Sequence, residues 1–121
     1  MANLVFVEST RPGIHALEVA KQLGHHVTYV TSHQMDWLIG EDGQAEVAHH
    51  ADHVVEVADS HDADVLTAAL RAAAARRPID AMLSTLHQFV EPAAIAAQRL
   101  GARSVSAVGA TIPMGATATS S

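Results

Sequence analysis

NLVFVESTRPGIHALEVAKQLG, residues 3–24, decides how the rest of the chain is read. Its first part, Asn3 to Glu8, is a compact apolar run of strand length, of the kind buried on both faces of a sheet. The second part carries Ile14, Leu17, Ala20 and Lys21 at helical spacing, with Leu23 closing the apolar face. Thr10 suits a helix N-cap, Pro12 a first helical turn, and Gly24 a C-cap. A strand running straight into a helix through ESTRPG is the start of a parallel α/β unit.

The same alternation continues. HVTYVTS (26–32) reads as a second strand and HVVEVA (53–58) as a third. Residues 33–52, with two glycines and several acids, read as a loop with one short helical turn, in which Met35 and Trp37 cover the sheet edge. DSHDADVLTAALRAAAARR (59–77) has Asp59, Ser60 and Asp62 at its head and Arg71, Arg76 and Arg77 toward its tail. That charge order complements a helix macrodipole, and Pro78 ends the helix. AMLSTLH (81–87) is a fourth strand, EPAAIAAQRLG (91–101) a third helix, and SVSAV (104–108) a fifth, edge strand. The expected fold class is α/β: a small Rossmann-like open parallel sheet of four to five strands with three main helices. One domain over 1–108 and a disordered or loosely packed tail over 109–121 complete the division.

Composition narrows the function. The chain has 121 residues, 49% of them hydrophobic but only 3% aromatic, so its core is built from Val, Ile, Leu and Ala. The net charge of −6 without a basic block argues against nucleic acid. The absence of cysteine excludes disulfides and thiolate chemistry. MANLVFVE lacks a signal-peptide pattern and is too short to span a bilayer, so a cytoplasmic protein that makes no membrane contact is expected.

Ligands of open α/β sheets bind outside the carboxyl ends of the strands. That rule selects ESTRPG after the first strand and HQFVEP after the fourth, which border one crevice if those strands are neighbours. The candidate binding residues are Glu8, Ser9, Thr10, Arg11 and Gly13 on one turn, and His87, Gln88 and Glu91 on the other. Arg11 and the amides up to Gly13 sit at a helix N-terminus, where anions are favoured, though a solvated arginine on a capped corner has the same sequence. Glu8, if buried, needs a partner, with Arg11 or a backbone amide nearest; at a strand tip it is simply solvated. Glu91 either holds the helix terminus or meets a ligand.

Other chemistries lack their groups. A dinucleotide fingerprint needs more glycines than Gly13 and an acid after the second strand, where Thr31 and Ser32 stand instead. No Walker A sequence occurs, and the single lysine, Lys21, lies inside the first helix, where it serves no phosphoryl-receiving site. Glu46, His49 and His53 have zinc-ligand spacing on one helix face, but the incoming strand at His53 breaks that face, so no metal site is assigned.

Taken in order, AKQLGHHVTYVTS (20–32), ADHVVEVADSHD (51–62) and VEPAAIAAQRLG (90–101) resemble the N-terminal, preATP-grasp or biotin-carboxylase N-terminal-like, domain of ATP-grasp carboxylate–amine ligases. The resemblance runs from Asn3 to about Gly101. It implies an enzyme in which ATP activates a carboxylate as an acyl phosphate that an amine then attacks. ATP and Mg²⁺ are held there by other domains, so none is expected on this chain alone, and no catalytic residue is assigned to it. The implied role is to border the cleft for a small carboxylate or amine, with an ATP-grasp catalytic domain as partner in cis or in trans. The alternative is a non-catalytic Rossmann-like module for a small ligand or a protein. After QRLG, the sequence ARSVSAVGATIPMGATATSS departs from the family pattern and reads as a truncation, a frameshift or the end of a stand-alone module. The face that would meet other domains predicts a homo-oligomer.

Overall fold

The structure, a computed structural model, describes residues 2–106. Five parallel strands form one sheet: β1 (Asn3–Val7), β2 (His26–Thr31), β3 (His53–Glu56), β4 (Ala81–Ser84) and β5 (Arg103–Ser106), in the order β3-β2-β1-β4-β5. The helices are α1 (Ile14–Gln22), α2 (Asp36–His50), α3 (Ala63–Arg76) and α4 (Val90–Leu100), the last preceded by a single 3₁₀ turn at His87–Phe89.

Strand side chains alternate between two apolar layers. Val5, Val7, Val30 and Met82 meet Leu66, Leu70, Ala93 and Ala97 on the α3/α4 side. Phe6, Val27 and Tyr29 meet Ile14, Leu17, Ile39 and Val47 on the α1/α2 side. This is why β1 and β2 read as continuous apolar runs: both faces of each strand are covered. Right-handed crossovers put α1 and α2 on one face while the chain moves outward from β1 to β3. The return from β3 to β4 reverses direction and puts α3 and α4 on the other face.

Helix ends follow their local chemistry. Asp62 caps α3, its Oδ1 accepting from the amides of Asp64 (2.8 Å) and Val65 (3.3 Å). Gly24 (φ +86°) and Gly101 (φ +74°) close α1 and α4. At each, the glycine amide donates three residues back and the next amide five back, the paired bonds of a left-handed glycine cap. Thr10 acts one turn earlier than a helix cap: its Oγ1 accepts from Gly13 N at 2.9 Å, and the helix begins at Ile14.

Three local expectations are corrected. Residues 36–50 form a helix, not a loop, interrupted at Gly40 (φ +72°). Ile39, Gly43 and Val47 are its buried residues, four apart, and the close fit at Gly43 lets α2 lie on Ile14 of α1. Leu23 does not close the apolar face of α1 but is 68% exposed, and Trp37 stands 77% exposed where it was expected to cover the sheet, a task that falls to Met35. The expected end of the fifth strand at Val108 and the tail over 109–121 lie outside the described residues.

Candidate functional site

The strand order reverses between β1 and β4, which are direct neighbours through Leu4–Ala81, Val5–Met82 and Phe6–Leu83. The turns after these two strands therefore meet at the topological switch point, where such sheets hold ligands. Ser9 Oγ lies 3.3 Å from Thr85 Oγ1, and Thr10 N donates to the same Thr85 oxygen at 3.4 Å. Gly13 fills the remaining corner. A Cβ at Gly13 would lie 2.3 Å from Thr85 Oγ1, 2.7 Å from Ser9 Oγ and 2.8 Å from Thr10 Oγ1. Gly13 thus admits three hydroxyls and the start of α1 into one small volume. There buried Ser9 Oγ donates to Thr10 O (2.8 Å) and Gly13 N to Thr10 Oγ1, leaving the half-buried Thr10 hydroxyl proton as the donor that can meet a ligand.

Glu8 stands beneath this surface. It is 1% exposed, and all its partners are hydroxyls or an amide. Oε1 accepts from Thr31 Oγ1 (2.9 Å), and Oε2 from Ser32 N (2.8 Å), Ser32 Oγ (3.1 Å) and Ser60 Oγ (2.8 Å). A buried acid needs hydrogen bonds to replace its lost water, and here they come from the end of β2 and from Ser60 in the segment that follows β3. Of the two sequence-based expectations for a buried Glu8, the backbone amide is realised and Arg11 is not: Arg11 pairs with Glu46 of α2. Glu8 also takes a positive φ of +57°, which ends β1 at Val7 and turns the chain toward Ser9.

His87, Gln88 and Glu91 lie beyond β4. Gln88 Oε1 is 3.2 Å from His61 Nε2, and the His61 ring stacks on buried Phe89 with centroids 4.3 Å apart. His87 is exposed in the 3₁₀ turn. Glu91 lines an open groove of about 480 Å³ with Asp59, His61, Asp62 and Arg99. The predicted residues therefore form two groups. Ser9, Thr10 and Gly13 gather with Thr85, whereas Gln88 and Glu91 gather with His61 on the α3/α4 side, and Arg11 leans toward α2. The first group offers an anion the Thr10 hydroxyl, its other donors being used within the turn; the second is acid-rich and suits an ammonium.

Sequence reasoning did not name Thr85, Thr31, Ser32, Ser60 or His61 as residues of the site. Each follows a strand by only a few residues or ends one, which was the available signal. His49 lies in the last turn of α2 and His53 opens β3, so the two share no helix face. His33 bridges Glu56 and Asp36 at 2.8 Å each, and these bonds, Glu56 first, raise its pKa above the usual histidine value. Tyr29 is pushed up by burial and by the charges of Glu8 and Asp36, so it stays a neutral phenol at physiological pH. Among the described residues no helix is long and apolar enough to cross a membrane.

This fold and switch-point site define an open α/β domain of the Rossmann-like kind. The family model for the ATP-grasp N-terminal domain matches residues 17–102, and the chain belongs to that family. Among solved structures it is similar to an L-amino acid ligase from Bacillus licheniformis, at 17% identity and TM-score 0.64, over 88% of this chain and 25% of that one. It is also similar to a phosphoribosylglycinamide synthetase from Anaerococcus prevotii, at 15% identity and TM-score 0.64, over 83% of this chain and 22% of that one. The chain thus spans about a quarter of the length of these two proteins. Among curated proteins no sequence matches it.

Proposed function

We propose that this chain is the N-terminal domain of an ATP-grasp ligase that joins a small carboxylate to an amine through an acyl phosphate, and that its switch-point turns form one lip of the substrate cleft. The observation that carries this reading is the contact of Ser9 with Thr85, which locks the β1 and β4 turns together at the carboxyl end of the sheet. The Thr10 hydroxyl, on a corner that Ser9 and Gly13 hold in place, and Arg11 swinging from Glu46 present donors to the carboxylate. Glu91, with His87 and Gln88 on the same turn, faces the amine, whose ammonium form an acid-lined groove attracts.

ATP with Mg²⁺, held by another domain, would supply the phosphoryl group that converts the carboxylate into an acyl phosphate, a mixed anhydride, with release of ADP; phosphate would leave when the amine attacks. The residues of the two turns bind and orient the organic substrate, and among the described residues none forms a glycine-rich phosphate cradle. Catalysis therefore requires an ATP-grasp catalytic domain in cis or in trans, and this domain by itself is inactive.

The reading is tested by titrating the ¹⁵N-labelled chain with a panel of amino acids and small carboxylates. Saturable shifts are expected at Thr10–Gly13 and at Thr85–Glu91. Shifts confined to other parts of the fold would contradict it.

A further inference from the structure

A second concavity lies at the opposite, amino-terminal end of the sheet, between β2, β3 and the last turn of α3. Its volume is about 380 Å³. Thr28, His26, His53, Arg76 and Arg77 line it, over an apolar floor from Val55 and Ala73. The chain as a whole carries a net charge of −6 with its histidines neutral, so a wall carrying Arg76 and Arg77 is a local reversal of sign.

Three features point to an absent ligand. First, Thr28 is 4% exposed on the α3-facing side of β2, yet its hydroxyl bonds to none of the described residues. A buried hydroxyl without a partner is destabilising unless something bound supplies one. Second, Arg11 and Arg99 have carboxylate partners, whereas the guanidinium groups of Arg76 and Arg77 have none among the described residues. Arginines at a helix end do complement the macrodipole, but that role asks nothing of Thr28.

Third, the tautomer of His26 is fixed toward the cavity. Asn3 Nδ2 donates to the carbonyls of Arg77 (3.1 Å) and Pro78 (3.3 Å), so Asn3 Oδ1 is the acceptor facing His26 Nδ1 at 2.9 Å. His26 therefore carries its proton on Nδ1 and leaves Nε2 free to gain one. Burial first, then the Arg77 charge, holds the His26 pKa below the usual value, with Lys21 and His53 acting the same way and Asp52 opposing them.

We propose that this groove binds a small organic anion, a carboxylate or a phosphate ester, clasped by Arg76 and Arg77, hydrogen-bonded by Thr28 and by a protonated His26, with its apolar body on Val55 and Ala73. The site is independent of the cleft at the other end of the sheet and does not rest on the ligase reading.

The test is an NMR titration of the full-length labelled chain at constant ionic strength, with inorganic phosphate in one arm, benzoate in the second and chloride as the control. Saturable shifts at Thr28, His26 and the Arg76–Arg77 guanidinium groups are expected from at least one arm, which also decides between phosphate and carboxylate. Binding should raise the His26 pKa. Arg77→Gln should weaken binding about tenfold. Thr28→Val should weaken it while leaving the unfolding midpoint unchanged or higher, a result a purely structural threonine would not give. Arg11→Gln, at the far end of the sheet, should bind as the parent does. Responses no different from chloride in both arms, or parental affinity in both Thr28→Val and an Arg76→Gln/Arg77→Gln double variant, would overturn the proposal.

Discussion

Ser60 Oγ donates a 2.8 Å hydrogen bond to Glu8 Oε2 across 52 residues of sequence, joining the end of β1 to the segment that follows β3. Between them lies β2, whose last residue Thr31, with Ser32 just after it, bonds to the same carboxylate. One buried acid thus fastens three consecutive strand ends on the side of the sheet where the candidate site stands. Glu8→Gln keeps the shape but replaces an acceptor oxygen by a donor facing hydroxyl and amide donors. The expected loss is about 1–3 kcal/mol in urea unfolding, and a change near zero would show that the hydroxyl ring does not depend on the carboxylate.

Gly13 is the second hinge of the site. With a Cβ placed 2.3 Å from Thr85 Oγ1, Gly13→Ala must push the β1 and β4 turns apart. A destabilisation of about 1–3 kcal/mol is expected. Thr85→Ala removes the nearest obstacle, so the double variant should recover part of that loss. A double-mutant cycle reads this as a coupling, and strictly additive effects would contradict the packing described.

Phe89 is fully buried in the α3/α4 layer and carries the stacked His61 ring. Phe89→Ala should cost about 3–5 kcal/mol. It should also release His61 from Gln88, visible as averaging of the His61 ring resonances before global unfolding.

Two histidines should titrate on opposite sides of their common reference of 6.5, His33 above it and His26 below. The folded state holds the His33 proton more tightly than the unfolded chain does. Its contribution is therefore full below about pH 6.5 and is lost as pH rises through the folded value. Because His33 is half exposed, solvent screening limits this to about 0.3 kcal/mol. For His26 the sign reverses: the folded state resists protonation, so stability falls as pH drops below about 6.5 toward the folded value. Glu56→Gln should lower the His33 pKa and leave His26 where it is; an ordering of the two histidines opposite to this would contradict the assigned contacts.

The parts of the fold legible in the sequence are those where both strand faces are covered. Val5, Phe6 and Val7 form an unbroken apolar run because α3/α4 lie on one side and α1/α2 on the other. The adjacency of β1 and β4, on which the shared crevice was conditional, is not fixed by that alternation and is supplied by the structure. Helix α2 was obscured because Gly40 breaks its geometry and Gly43 is buried without contributing an apolar side chain to the pattern. Ile39 and Val47, eight apart, were its remaining trace. The partners of Glu8 were hidden for another reason: Thr31, Ser32 and Ser60 are ordinary strand-end residues until three strands are placed side by side. Arg11, the nearest cation in sequence, is drawn off by Glu46 on a helix that the sequence did not disclose.

The most direct test of the ligase reading is ADP release. The chain is assayed alone, then fused to an ATP-grasp catalytic domain in place of that domain's own N-terminal unit, with ATP, Mg²⁺ and a panel of amino acids. The account predicts no turnover by the chain alone and amino-acid-dependent ADP formation by the fusion, reduced when Ser9 or Glu91 is replaced by alanine. ATP turnover by the isolated chain, or fusion activity indifferent to both replacements, would contradict it.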